Sequence, residues 1–416
     1  MLVPLPRIAP EHRRWIILGL IFVAMVLNYV DRQIVSVLKP TLKEAFGIDD
    51  RGYATLLNVF MLCYASTYAV AGWLVDKFGA GRVMLLGIIG WSGACLAAGF
   101  TKTFGQLAFF RGLLGVAEPM GFPSQLRVVT IWFPPRLRAT ANSICAAGST
   151  IGAIIAAPLV AWLALTFNWH AAFLVPGALG LGLAVLWKVF YREPPASVAE
   201  EAGVNANGGA AFTWGQLWRT RSLWGILLSR FVSDPVWYFC LLWLPGYLQE
   251  QSGLTLAQIG MVGWIPFLVA DLGGVGSSMA SDRLVKRGIA PLRARKLTLA
   301  CAAAIGPLCV LTPHLPHPAV TLAIFSLVGA MCLTWLFNLG VVVAETFPAA
   351  NVGSVWGIAG ACGAAGAMFF NTFVGEVMQT LGPGRVFAVM AVLHPLAAVI
   401  LWATVRTERP RVVASR

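Results

Sequence analysis

Apolar runs long enough to cross a bilayer recur along the whole chain, and they constrain its fold more than any other feature. A membrane helix needs roughly 20 mostly apolar residues. Such runs fall near 15–37, 53–75, 83–100, 104–132, 139–165 and 170–191, and again near 222–248, 257–281, 296–313, 319–344, 352–380 and 384–405. The expected fold is an all-α membrane protein with twelve transmembrane helices. A membrane β-barrel would instead alternate over segments of about ten residues. Composition agrees: 58% of the 416 residues are hydrophobic and 11% are charged, against roughly 25% charged in soluble domains.

The net charge of +13 is explained by where the positive residues fall. With an even number of spans and the N-terminus inside, one side holds most of the arginines and lysines, including Arg13, Arg14, Lys77, Arg82, Arg136, Arg138, Arg283, Lys286, Arg287, Arg293, Arg295 and Lys296. The other side holds Lys39, Lys43, Arg51, Lys102 and Arg385. This positive-inside bias puts both termini in the cytoplasm and makes nucleic acid an unnecessary partner. The first run is span-length and carries Asp31-Arg32, so it reads as a span and not as a cleavable signal. The eight cysteines lie in predicted spans without metal-ligand spacing and read as small packing residues.

The chain repeats its own plan. Leu42-Lys43-Glu44 with Gly47 recurs 206 residues later as Leu248-Gln249-Glu250 with Gly253, and Asp76-Lys77 recurs at the same offset as Asp282-Arg283. Phe133-Pro134 recurs as Phe347-Pro348 at an offset of 214. Two six-helix bundles follow, 1–192 and 222–416, joined by a flexible linker at 193–221 whose first part is rich in Pro, Ala, Gly, Asn and Glu. Pseudo-symmetric halves around a midplane site are a common plan of secondary transporters.

Charge inside the membrane marks the candidate site. Ionisable residues at that depth are costly and usually functional. The first half has Asp31 and Arg32 in its first run, and Arg111, Glu118 and Arg127 in its fourth. Arg111 and Glu118 are seven apart and share a helical face, which Gln125 extends. An acid beside an arginine suits a proton relay or a static ion pair. Arg127, nearer the helix end, suits snorkelling. The second half holds Arg230, Asp234 and Asp271 and many aromatics. At the repeat offsets Asp31 corresponds to Trp237 and Asn142 to Trp356; both tryptophans sit mid-span and are candidate ligand contacts, with an interfacial belt or core packing as the alternative. Asn338 shares a face with Trp335. Asp271 is open between an ionisable site and a packing acid.

Gly72-Trp-Leu-Val-Asp76-Lys77-Phe-Gly79-Ala-Gly81-Arg82 lies between the second and third runs, and Arg111-Gly-Leu-Leu-Gly115-Val-Ala117-Glu118 in the fourth. Both resemble signature patterns of the major facilitator superfamily. Gly72 is expected to allow close helix approach, and Asp76, Lys77 and Arg82 to latch the cytoplasmic gate in one state. The second copy, with Asp282 and Arg283, has Ser278 in place of the glycine. Glycines at 148, 152, 353, 357, 360, 363 and 366 are expected to let helices approach and slide.

Asn28-Tyr29-Val-Asp31-Arg32, Gly115–Pro123 and Trp132-Phe133-Pro134 narrow the resemblance to the anion:cation symporter family. Asp234-Pro235-Val-Trp237, Trp243-Leu244-Pro245 and Ile265–Asp271 resemble its hexuronate branch. Pro119 departs from that pattern, which usually has alanine there, and is expected to kink the helix beside Glu118. The resemblance implies proton-driven uptake of a sugar-acid anion by a monomer in a bacterial cytoplasmic membrane. It places the proton on Asp31 and Glu118, the carboxylate on Arg32, and ligand contacts on Tyr29 and Tyr64. An arginine offers carboxylate a planar fork, and a tyrosine offers a sugar both a hydroxyl and a ring face. The proton gradient would be the driving force and no cofactor is needed. Another organic anion, or a membrane sensor, is the alternative. An intramembrane enzyme lacks support, since neither His-Glu-x-x-His nor Gly-x-Ser-x-Gly occurs.

Overall fold

The computed structural model describes residues 9–133, 135–195, 212–314 and 317–406. Among them the first half comprises α1 (Pro10–Val37), α2 (Lys39–Phe46), α3 (Asp50–Phe78), α4 (Ala80–Ala98), α5 (Phe104–Ala117), α6 (Gly121–Trp132), α7 (Pro135–Thr166) and α8 (Ala171–Phe190). The second comprises α9 (Trp214–Arg219), α10 (Arg221–Leu242), α11 (Leu244–Glu250), α12 (Leu256–Val262), α13 (Ile265–Lys286), α14 (Pro291–Ala303), α15 (Pro318–Thr346), α16 (Ala349–Thr380) and α17 (Pro383–Thr404). No strand occurs among the described residues.

Ten helical stretches among the described residues are long and apolar enough to cross a membrane. The predicted runs at 53–75 and 104–132 are not among them. The first is helical throughout as α3. The second is interrupted. Proline has no N–H to donate, and at Pro119 the helix gives way to a 3-10 turn, Glu118–Met120, before α6 resumes. The departure from regular α-helix beside Glu118 is this change to a 3-10 turn.

The repeat is visible in the backbone. α1 yields to α2 at Leu38, and α10 yields to α11 at Trp243. Gly47 and Gly253 both take left-handed angles, φ 61° and 70°, where glycine escapes the Cβ clash. Asp49 caps α3 through the Gly52 N–H, and 206 positions on Thr255 caps α12 through the Gln258 N–H. Phe133 and Phe347 both leave their helices in extended conformation.

The end of the predicted linker is more ordered than expected. Thr213 forms a capping box that starts α9. Phe212 is held by Asn351 through two hydrogen bonds, 2.8 and 2.9 Å, which moor this stretch to α16. Residues 196–211 lie outside the described set.

Within the first half, α7 packs on α1 through glycine. A Cβ at Gly148 or Gly152 would meet the carbonyl oxygens of Phe22 or Val26 at 2.7 and 2.5 Å, so only glycine permits this approach. Large apolar side chains face outward, among them Leu86, Phe109, Leu272 and Val399. An apolar outer surface of this extent fits a lipid surround.

Candidate functional site

Arg32 is the centre of the site. The 28-residue helix α1 carries it towards the boundary between the halves. Its guanidinium donates to Glu118 Oε2 from Nε at 2.9 Å and from Nη2 at 2.5 Å. The rings of Tyr29 and Tyr64 cover it at 5.0 Å and that of Phe60 at 5.6 Å. Cation–π contacts and a charge-assisted pair together offset the cost of burying the charge. Tyr64 stacks on Tyr68, one turn further along α3. The aromatic wall therefore continues beyond the residues expected from sequence.

Sequence spacing pairs Glu118 with Arg111, but the structure pairs it with Arg32. The 3-10 turn at Pro119 ends the regular α5 register at Glu118. Arg111 and Arg32 both lie against the Phe60 ring, Arg111 at 4.7 Å. Arg111 is aimed at α1, donating from Nη1 to the Asp31 carbonyl at 3.5 Å.

Asp31 and Arg32, adjacent in the chain, serve different spaces. Asp31 is buried inside the first bundle and borders a void of about 10 Å³ together with Cys95, Phe110, Arg111, Leu114 and Phe173. That void is about the size of one water molecule. The acid shares this void with Arg111. Gln125 is buried on α6, and Arg127 is exposed.

The second half contributes charge as well as aromatics. Arg230 pairs with Asp234 on α10, with contacts of 2.7 Å from Nε and 2.6 Å from Nη2. Trp356 covers this guanidinium at 4.6 Å. Tyr68, stacked on Tyr64, reaches α16, where a Cβ at Gly360 would lie 3.7 Å from its ring. Arg230, Asp234, Tyr68 and Tyr238 were not singled out as ligand contacts by sequence. Their signal was a one-turn spacing: Tyr64 to Tyr68, and Arg230 to Asp234 to Tyr238. Trp237 packs edge-on to Phe267 at 6.2 Å. Asn338 is fully enclosed and donates to Ser277 and to the Thr334 carbonyl, at 3.3 and 3.0 Å. In this conformation it ties α15 to α13, because an amide enclosed between helices must satisfy its donors locally.

Hydrogen bonds between the halves gather towards one end, around α2 and α11. Lys39 reaches Glu250 at 2.6 Å and Asp50 at 2.8 Å, and Lys43 reaches the same two acids at 3.0 Å. Tyr53 donates to the Leu242 carbonyl at 2.6 Å, Ser36 to the Leu241 carbonyl at 2.9 Å, and Gln249 to the Val37 carbonyl at 2.9 Å. Asn58 meets Thr372, and Arg51 meets Glu376. Thr150 donates to Asp271 at 3.0 Å, so this acid contacts the opposite half.

The other end is splayed. A Cβ at Gly72 would meet nothing within 4 Å, and the same holds at Gly353 and Gly357. The close helix approach expected at Gly72 is absent here, since α3 and α16 meet at their other ends, around Ala54 and Gly375. The signature loop itself is built as its glycines demand. Gly79 has φ 86°, and the Gly81 carbonyl accepts from Trp187 Nε1 at 2.9 Å. Lys77 lies over Trp73 at 4.6 Å, and Arg82 is exposed. The Asp76 side chain lies outside the described set. In the second copy, Asp282 pairs with Arg295 at 2.7 Å, and Arg295 contacts Glu345 at 3.3 Å. Arg283 is exposed. This network stays within the second half. The described residues contain no group of His, Cys, Asp and Glu suited to a metal ion.

An all-helical fold with several membrane-length helices and a repeated plan fits a membrane transporter. Residues 21–341 match the Major Facilitator Superfamily, and the chain belongs to it. It is 30% identical over 415 residues to the hexuronate transporter of Escherichia coli (strain K12), spanning 96% of this chain and 95% of that one. It is 31% identical to the galacturonate transporter of Dickeya chrysanthemi, over 71% and 90% of the two chains. It is 28% identical to the D-galactonate transporter of Escherichia coli O6:H1, over 96% and 98%. The fold matches a bacterial homologue of the human lysosomal transporter Spinster with a TM-score of 0.75 at 18% identity, covering 95% of this chain and 97% of that one. The protein is a multi-pass membrane transporter and not an enzyme.

Proposed function

We propose that the chain is a proton-coupled symporter of a sugar-acid anion, a hexuronate such as galacturonate or glucuronate. The observation that carries this reading is Arg32, held by Glu118 and enclosed by Tyr29, Phe60 and Tyr64. A carboxylate fits the same guanidinium fork that Glu118 occupies, and tyrosines suit a polyhydroxylated ring. Relatives named for hexuronate and galacturonate support the choice of acid. A relative named for D-galactonate favours an aldonate as the second reading.

Joining the interrupted helices gives twelve spans, and the positive-inside bias puts the signature loop and both termini in the cytoplasm. The α2–α11 end is then external, so the observed conformer faces inward. Protonation of Glu118 from outside removes its charge and frees Arg32 for the substrate carboxylate. Asp31, communicating through Arg111, titrates with it. The loaded carrier rocks inward, and Glu118 gives up its proton to the more alkaline cytoplasm and recaptures Arg32. Substrate leaves because its partner is taken. The Arg32–Glu118 pair corresponds to the state after release. Each chain holds a whole site, in keeping with a monomer, and the bacterial relatives favour a cytoplasmic membrane.

The test is uptake of radiolabelled galacturonate into proteoliposomes with and without an inward proton gradient. Accumulation that requires the gradient is the expected result. Uptake that equilibrates but never accumulates would reject the coupling, and failure of every sugar acid would reject the substrate class.

A further inference from the structure

The second half presents its own arginine–acid pair, Arg230 and Asp234. Arg230 and Asp234 are one turn apart on α10, a spacing at which side chains meet. Two guanidinium nitrogens converge on a single Asp234 oxygen. Tyr68 joins the two pairs: it stacks on Tyr64, which covers Arg32, and its ring lies 3.7 Å from where a Cβ of Gly360 would sit, one turn along α16 from Gly363. Each cation is matched by one acid, but the pairs are built differently. Glu118 comes from a different helix than Arg32. Asp234 shares a helix with Arg230 and is pressed against α16, where a Cβ at Gly363 would run into its carboxylate. A pair within one helix, pinned by a neighbour, persists when the halves rock.

We propose that the Arg230–Asp234 pair reads the end of the substrate remote from its carboxylate, and that Asp234 makes the site select a sugar acid with one carboxylate over one with two. The inference rests on the preceding reading of Arg32 as the carboxylate anchor. Arg230 retains N–H groups beyond those it spends on Asp234, and Asp234 retains lone pairs. A hydroxyl both donates and accepts and so satisfies both members of the pair. A second carboxylate only accepts, and it meets the Asp234 charge. Repulsion of this kind is how a site rejects a near-isostere without losing its proper ligand.

The experiment is inhibition of galacturonate uptake in proteoliposomes by unlabelled galacturonate and by galactarate, its dicarboxylate counterpart. Wild-type protein is expected to be inhibited at least ~10-fold more weakly by galactarate, the size of one like-charge contact of about 1.4 kcal/mol. Asp234→Asn leaves Arg230 unmatched and should narrow that ratio to within about threefold. The double variant Arg230→Gln/Asp234→Asn removes both charges and should lose the gain. Equal inhibition of wild-type protein by the two acids would overturn the proposal whatever the variants do. So would an unchanged ratio in Asp234→Asn protein that still carries galacturonate. Wild-type protein that carries neither acid would instead sink the substrate reading on which the proposal stands.

Discussion

Lys39 and Glu250 meet at 2.6 Å across the boundary between the halves, and each sits on the short helix that follows the first span of its own half. α2 and α11 are copies of one another, so the repeat brings its two versions face to face and uses them as a latch. Lys43 and Asp50 complete a four-residue network. Replacing Glu250 with Gln removes the acid that both lysines share across the boundary. A loss of about 1 kcal/mol shifts a two-state population roughly fivefold. The outward-facing population should rise by at least that much, read as the distance between spin labels placed on α2 and α11. An unchanged distance distribution would mean that the latch does not hold this end closed.

The same latch should be insensitive to mild alkali. Partial burial alone would lower the Lys43 ammonium, but Glu250 and Asp50 outweigh it and raise the group above its ordinary value of 10.5. A raised lysine contributes its stabilisation fully below its unfolded value, and loses it only as pH climbs through the folded one. The spin-label distances should therefore hold between pH 7 and 9 and widen only above about pH 10.5. Widening already at pH 8 would contradict the ion-pair account.

Two glycine stripes make opposite predictions. Gly357 faces open space, so Gly357→Leu should fold with an unchanged Tm yet lose transport, because the added side chain obstructs closure of α16 on α3. Gly152 packs on the Val26 carbonyl, so Gly152→Leu should lower stability by about 1–3 kcal/mol through overpacking. Thermal melting beside uptake separates them. Transport by Gly357→Leu at the wild-type rate would place the cytoplasmic closure elsewhere.

Much of this was legible in sequence. The all-helical membrane fold, the Pro119 interruption and the buried charged set Asp31, Arg32, Arg111 and Glu118 follow from hydropathy and the cost of buried charge. Partner choice was not. Helical spacing reports only neighbours on one helix, so it offered Arg111 to Glu118, whereas Arg32 arrives from α1 through tertiary packing. The hydrogen bonds of Asn338 to Ser277 and Thr334 were likewise not readable, because sequence does not say which helix a polar face meets. The Arg230–Asp234 pair was readable at its one-turn spacing, but its approach to the Arg32 tyrosines depends on how the two halves meet.

Arg32→Lys tests the fork. Lysine keeps the charge but loses the planar pair of donors and the flat face against Tyr29 and Tyr64. Hydrogen bonds to charged groups contribute about 1.5–3 kcal/mol, so the Kd for galacturonate should rise roughly 10- to 100-fold. Isothermal titration on purified protein measures it, and a Kd within threefold of wild type would remove Arg32 as the carboxylate anchor.

The central claim is that Glu118 and the substrate carboxylate take turns on Arg32, with a proton deciding which. Glu118→Gln abolishes the turn-taking but leaves Arg32 free to bind. The decisive measurement compares two modes of galacturonate transport by this variant in proteoliposomes. Exchange of labelled for unlabelled substrate at equal pH should persist, while uphill accumulation driven by an inward proton gradient should vanish. Gradient-driven accumulation at the wild-type level would contradict the account.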